Sequence, residues 1–338
     1  MVLVRVGERT FLYDRPPRVA AHASIVGPKE SEGPLAAWFD EVSRDDLFGQ
    51  KTWEMGESEM LRRCVARAMT DADVVPEDAQ ALFSGDLNDQ IIATGFAARA
   101  LGVPLVGLYG ACSTFVEGLV LAAALVSGGY LQNALCAASS HFCTAERQFR
   151  FPLEMGTQRP PSAQWTATAA GCALLAAEEG PGLHVTAGTL GRIVDRKIKD
   201  ANHMGAAMAP AVEATILAHL DDTGAAADDF DLIATGDLGW IGREILLRLL
   251  RERGRPLPPE KLVDCGASLF FQEQDTHAGG SGCGCVAAVS CGWLMKRMER
   301  GELKRVLLVG SGAMLSPTST MQAETIPGIA YAARLEVQ

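Results

Sequence analysis

The chain of 338 residues contains no long hydrophobic run. Its longest apolar stretches, around 118–128 and 167–177, fall short of the ~20 residues that a membrane-spanning helix requires. The opening MVLVRVGERTFLYDRPPRVA brings in Arg5, Glu8 and Arg9 early and holds no apolar core, so it does not read as a signal peptide. Positive charge is scarce. Thirty Lys and Arg against 41 Asp and Glu leave a net charge of −11, which argues against a nucleic-acid partner and against binding an anionic membrane by charge alone. Cysteine pairs at zinc spacing are also missing: Cys283-Gly284-Cys285 holds two thiols one residue apart, with no matching pair elsewhere. The nine cysteines, an odd number lying mostly in apolar or Gly-rich runs, read as free thiols of a reducing compartment rather than a secreted disulfide framework. No resident cofactor or metal is expected.

What is present is an ordinary globular composition, 48% apolar and 21% charged, in a chain long enough for one large core or two fused domains. The most informative stretch is Leu105–Gly129. An apolar run, Leu105–Tyr109, reads as a buried strand; a Gly110-Ala111 turn, Cys112-Ser113-Thr114 and about four turns of Ala/Leu/Val-rich helix follow. This places a thiol at a helix N-terminus, where amides and the macrodipole favour negative charge. The alternative is a buried structural cysteine.

Helical spacing is expected over Glu57–Ala72 and Gln90–Leu101, and short strands over Ala81–Ser84, Ala134–Ser139 and His184–Ile193. The polar, Pro-containing Phe142–Gln164 is too long for a plain connection and reads as a lid over a site. Asp200–Met208 is expected to be irregular. The second half then repeats the first: Ser84-Gly85-Asp86-Leu87 returns as Thr235-Gly236-Asp237-Leu238, and the strand Ala134–Ser139 returns as Val306–Ser311. The fold class is therefore α/β, with duplicated βαβαβ-type halves over 1–180 and 181–338, two packed mixed sheets, and helices between and outside them.

A duplicated α/β chain with a cysteine opening the first buried helix resembles the thiolase-like superfamily of thiolases and ketoacyl-synthases. Gly171-Cys172-Ala173-Leu174-Leu175 and Gly310-Ser311-Gly312-Ala313 stand where that superfamily has its Gly-Ala-rich strand and its C-terminal Gly-rich turn. Within it, the runs LYGACST, SSHFCTAERQFRFP, PPSAQWT, HMGAAMAPA, DLIATGDLG, AGGSGCGC and GELKRVLLVGSGAMLSP resemble the stage V sporulation protein AD family. That resemblance implies a soluble component of the dipicolinic acid transport machinery of spore formers. It further implies a homodimer, membrane subunits of the same complex as partners, and a location in the forespore or spore, at the inner membrane through those partners.

Condensing enzymes of the superfamily need an imidazole to activate the cysteine and a second His or Asn beside it. The two places where these belong read Thr235-Gly236-Asp237-Leu238-Gly239 and Gly279-Gly280-Ser281-Gly282, and neither supplies them. A thiol without its base points to binding rather than condensation. The ligand implied by the resemblance is dipicolinic acid, free or as its calcium chelate. The expected site comprises the amides of Cys112, Ser113 and Thr114, the turn Gly280-Ser281-Gly282, His141 and His203 as donors, and Asp86 as a partner of the cluster or of chelated calcium. Asp86 also fits a turn or helix cap, and the two histidines fit structural roles. Arg147, Arg150, Arg159, Arg192, Arg196 and Lys197 form either an entrance charge or a solvated face. The rival functions are residual acyl transfer from acyl-CoA by Cys112, with His141, His203 or His277 as base, and a structural subunit with a vestigial pocket.

Overall fold

The computed structural model of the chain describes residues 4–149 and 158–338. A hairpin of β1 (Val4–Val6) and β2 (Thr10–Leu12) precedes the first copy. That copy runs β3 (Arg18–Val26), β4 (Glu41–Val42), α1 (Trp53–Asp71), β5 (Leu82–Gly85), α2 (Ile92–Leu101) and β6 (Leu105–Gly107). It continues through α3 (Thr114–Ser127), β7 (Asn133–Ser140), α4 (Phe142–Phe149), β8 (Trp165–Thr166) and β9 (Ala169–Ala176). The second copy has β10 (Leu183–Thr189), α5 (Met204–Thr223), β11 (Leu232–Thr235), α6 (Gly239–Glu252), β12 (Leu262–Asp264) and α7 (Cys265–Leu269). It closes with β13 (Gly280–Ser281), α8 (Cys283–Val289), α9 (Met295–Glu299), β14 (Arg305–Ala313), α10 (Pro317–Met321) and β15 (Gly328–Val337).

The strand orders β6-β5-β7-β9-β3 and β12-β11-β14-β15-β10 are the same path walked twice. Their registers coincide: Ser84 pairs with Ala137, and its counterpart Thr235 pairs with Val309. The two half-sheets are not separate. They meet edge to edge through the single pair His184–Arg18, so hydrogen bonding runs through one continuous sheet.

Between the folded halves lie α3 and α8, α8 apolar on every side and α3 apolar but for Glu117 in its first turn and its terminal hydroxyls, as suits a helix enclosed by two sheets. Small residues let them approach. A Cβ on Gly171 in β9 would fall 2.2 Å from the carbonyl carbon of Ala287 in α8, and one on Gly284 would fall 2.1 Å from Ala169 O. Only glycine admits that spacing. The outer faces are covered by α1 and α2 on the first half and by α5 and α6 on the second. In α1 the buried set Met60, Leu61, Cys64, Val65, Ala68 and Met69 faces the sheet while Arg62, Arg63 and Arg67 face outward. Its first turn is capped by Thr52 Oγ1, which accepts from Met55 N at 3.3 Å.

Three expectations change. Leu105–Gly107 is an exposed edge strand and not a buried one; Leu105 and Val106 are 38% and 40% exposed. An apolar run signals burial by something, and here that something is not this chain's own sheet. Helix begins at Met204, inside the stretch expected to be irregular. Of the expected lid, residues 142–149 form α4, and Arg150 lies outside the described residues.

Candidate ligand site

Cys112 sits in a 3-10 turn, Ala111–Ser113, that feeds α3. Ala111 holds φ +53°, a left-handed conformation unusual for a residue with a Cβ, and this swings the thiol toward the junction of the halves. The turn consumes two of the three amides expected to receive a carboxylate: Ser113 N donates to Gly110 O, and Thr114 N donates to Ala111 O. The hydroxyls turn back as well, Ser113 Oγ to Gly110 O at 2.6 Å and Thr114 Oγ1 to Ala111 O at 2.7 Å. Ser113 and Thr114 therefore shape the helix start rather than face a ligand.

The thiol opens onto a cavity of about 280 Å³ between the two copies. Ala111, Cys112 and Ser281 form its floor. Leu87, Ala145, Glu146, Phe149, Gln158, Arg159 and Thr166 line it from the first copy, and Ala201, Asn202, Met204, Ala313 and Leu315 from the second.

Behind the floor stands Asp237, wholly buried. Its Oδ2 accepts from Ser281 Oγ at 3.0 Å and Gly282 N at 3.1 Å, and its Oδ1 from Ser311 Oγ at 2.9 Å. Cys112 Sγ lies 3.8 Å from Ser281 Oγ. Burial pushes the Cys112 thiol well above its ordinary range, and the Asp237 charge adds to the shift. The thiol thus faces a carboxylate where a condensing enzyme has an imidazole, and it stays protonated at neutral pH. Burial also raises Asp237 itself, against the hydrogen bonds it accepts.

Arg159 is the only cation among the described lining residues. Its guanidinium lies 4.6 Å from the ring centroid of Trp165 and donates to Asp275 O at 2.8 Å. The other candidate entrance charges among the described residues do not line the cavity. Arg147 pairs with Glu54, Arg192 with Glu8 and Lys197 with Asp195, while Arg196 borders a separate groove beside Glu213 and Arg253.

Several expected site residues lie elsewhere. Asp86 is buried and does not line the cavity; its Oδ1 accepts from Asn88 N at 2.9 Å and its Oδ2 from Thr94 N at 2.8 Å. It caps the approach to α2. Beside it Glu57 accepts from Asn88, Ser139 and Thr144, and burial together with Asp86 raises its pKa. His141 is not available as a donor. Its Nδ1 accepts from Cys143 N, which leaves the Nε2 proton for Asp46 O at 2.8 Å, and burial lowers its pKa. His203 precedes α5 and does not line the cavity, although Asn202 and Met204 on either side do. Gly280 O accepts from Gln164 Nε2, and Gly282 holds φ +105° with its amide on Asp237, so both support Ser281 rather than touch the cavity. His277 lies in a loop near Asp275. The cysteines of the Gly-rich turn are packed rather than clustered: Cys283 donates to Ser139 O, and all nine thiols are free.

Sequence reasoning missed Asp237 as the site's carboxylate, and Trp165. The available signal was the duplicated Gly-Asp-Leu turn, which placed one aspartate in each half.

With this geometry, comparison with known proteins becomes specific. The model of the family described as Stage V sporulation protein AD (SpoVAD) matches residues 7–336. The chain belongs to that family. It is 41% identical over 325 residues to Stage V sporulation protein AD of Bacillus subtilis (strain 168), covering 96% of both chains. Among solved structures it is similar to Xanthomonas campestris OleA, with a TM-score of 0.63 and 17% identity over 96% of this chain and 99% of that one. It is also similar to AbyA1, a tetronic acid condensing enzyme, with a TM-score of 0.58 and 17% identity over 95% and 99%. At such identities these two establish the thiolase-like fold and nothing of the chemistry.

Proposed function

We propose that this member of the family is a non-catalytic binding protein for dipicolinic acid, free or as its calcium chelate, serving uptake into the developing spore and release in germination. The observation that carries the reading is the pairing of the Cys112 thiol with Ser281 and Asp237, in a cavity whose described lining holds no histidine. A thiol kept protonated by burial and by a carboxylate is a poor nucleophile, and no imidazole stands among the described lining residues to activate it. Cavity size supports a small ligand. At about 280 Å³ the space lies just below the roughly 300–1,000 Å³ typical of ligand pockets, which suits one aromatic ring better than a long acyl chain.

The reading extends to assembly. The edge strand β6 exposes Leu105 and Val106, and the adjoining α2 exposes Ile92 and Phe96, an apolar strip fit for a second copy. No helix among the described residues is long and apolar enough to cross a membrane, so attachment at the spore inner membrane runs through membrane subunits of the transport complex.

Calorimetric titration with dipicolinic acid, with and without calcium, tests the function. Saturable binding that Cys112→Ala and Ser281→Ala weaken is expected; no binding by the parent protein overturns it. The second reading, acyl transfer, has in its favour that Cys112 keeps its helix start in a fold shared with condensing enzymes. A related OleA structure holds lauric acid and lauroyl-CoA. Rapid, selective alkylation of Cys112 with turnover of an acyl-CoA would favour that reading.

A further inference from the structure

We propose that Glu57, which does not itself line the cavity, is the residue that positions the cavity's first-copy wall, and that it does so in its uncharged form. This deepens the dipicolinic acid reading, on which its binding test rests. Glu57 lies in the second turn of α1, wholly buried, and takes hydrogen bonds from three separate elements. Asn88 Nδ2, in the turn after β5, donates to Oε2 at 3.0 Å, and Thr144 Oγ1, in α4, donates to the same oxygen at 2.8 Å. Ser139 Oγ, in β7, donates to Oε1 at 3.1 Å. Two of these donors are chain neighbours of lining residues: Asn88 follows Leu87, and Thr144 precedes Ala145 and Glu146. Gln148 stitches the same two segments together, its Nε2 donating to Leu87 O at 3.0 Å and its Oε1 accepting from Asp89 N at 2.9 Å. Gln148 thus joins the parts of the wall to each other. Glu57 joins both parts to the scaffold of α1 and β7, which makes it a positioning residue.

The charge state follows from the partners. Asp86 stands beside Glu57 as a like charge. Its oxygens face the amides of Asn88 and Thr94, which only donate, so of the two carboxyls Asp86 keeps the charge. The partners of Glu57 include two hydroxyls, which accept as well as donate, so the proton resides on Glu57. Burial and then Asp86 raise its pKa in the same sense. The other titratable groups packed here supply no free cation. Cys283 of α8 is a thiol that burial keeps protonated, donating to Ser139 O, and burial lowers the pKa of His141. Toward solvent, Glu54 of α1 is paired with Arg147 of α4. Alkaline ionisation of Glu57 therefore sets two like charges across the joint between α1 and the Leu87 turn, and their repulsion drives the wall from its place.

The test measures two quantities on the full chain at pH 7 and pH 9.5: dipicolinate affinity by calorimetry, and backbone amide exchange over residues 86–94 and 142–149. Dipicolinate is a dianion at both pH values. Glu57→Gln keeps the shape without the charge. It is expected to bind within about twofold of the parent at pH 7 and about fivefold more tightly than the parent at pH 9.5, with slower exchange in both segments there. Glu57→Ala is expected to weaken binding about fivefold at pH 7 and to speed exchange in both segments. Thr144→Val, which frees α4 alone, is expected to speed exchange over 142–149 and leave 86–94 unchanged. A glutamate with no role beyond bulk structure moves the parent and Glu57→Gln together across pH. One constant ratio of affinities and one exchange pattern at both pH values therefore overturn the proposal, as does a folded Glu57→Ala that behaves like the parent. Should Glu57→Ala not fold, the Glu57→Gln comparison decides it. A parent that binds no dipicolinate overturns the dipicolinic acid reading itself, and the exchange comparison then judges Glu57 independently.

Discussion

Ser281 Oγ lies 3.0 Å from Asp237 Oδ2 and 3.8 Å from Cys112 Sγ, so a hydroxyl beside the thiol is tied to a buried acid. In a condensing site the group beside the cysteine withdraws its proton. Here the negative charge behind Ser281 makes the thiolate harder to form. The arrangement keeps the helix start of the thiolase-like fold and reverses the electrostatics that made it reactive.

That reversal predicts a reactivity profile. Iodoacetamide labelling of Cys112, followed by mass spectrometry of its peptide, is expected to be slow at pH 7 and to rise only in the alkaline range. Asp237→Asn removes the charge and lowers the thiol's pKa; a drop of one unit speeds labelling below that pKa by about tenfold. Burial, the larger cause, remains, so even the variant stays thiol-like at pH 7.

Asp86 is expected to matter for stability before it matters for binding. Its two oxygens hold the amides of Asn88 and Thr94, and Asp86→Ala leaves both donors buried without a partner. The loss is on the order of 2 kcal/mol, read as a shift of the urea midpoint. Any fall in ligand affinity is secondary, through Leu87, the neighbour that does line the cavity. Wild-type stability in Asp86→Ala with binding abolished would place Asp86 on the ligand instead.

Buried carboxyls also set how stability depends on pH. Glu30 is fully buried, accepts from Thr168 N at 3.0 Å, and is raised by burial to about 7 from an ordinary value of 4.5. The folded state therefore holds this proton after the unfolded chain has lost it. Its contribution is complete below about pH 4.5 and drains away as pH rises to about 7, amounting to about 3 kcal/mol. Asp264, raised to about 6, acts with the same sign. His219, lowered to about 4, acts with the opposite sign, costing stability as pH falls below 6.5. Glu30→Gln is expected to lose less stability than the parent between pH 5 and pH 8, and comparing the two proteins cancels the other groups. Equal slopes would mean that Glu30 is ionised in the fold.

The duplication was legible because a turn and a strand recur in order, and the paired registers of Ser84–Ala137 and Thr235–Val309 have the same physical basis. The setting of Cys112 was legible because small residues before an all-apolar helix have few other uses. Which aspartate serves the site was not legible, since Gly85-Asp86-Leu87 and Gly236-Asp237-Leu238 read alike. In the first copy the turn aspartate is captured by the amides of Asn88 and Thr94. In the second, Asp264 at the end of β12 caps Leu238 and Gly239, and Asp237 is left to face Ser281 and Ser311. The choice is made by a residue distant in sequence, and no local pattern encodes it. The same holds for His141, whose ring is claimed by Asp46 from another part of the chain.

The exposed edge of β6 gives the last prediction. A three-residue strand whose residues are all exposed, ending a long sheet, offers unpaired backbone groups beside apolar side chains. Pairing with the same strand of a second copy extends the sheet and covers Leu105, Val106 and the neighbouring Phe96. Analytical ultracentrifugation of the parent is therefore expected to show a dimer at micromolar concentration. Val106→Lys places a charge in that seam and is expected to give a monomer. The cavity at Cys112 is built within one chain, so the monomeric variant is expected to keep its affinity for dipicolinic acid within about twofold, since distant sites are nearly independent. A Val106→Lys protein that stays dimeric would put the interface elsewhere, and one that is monomeric and no longer binds would show that a second copy completes the site.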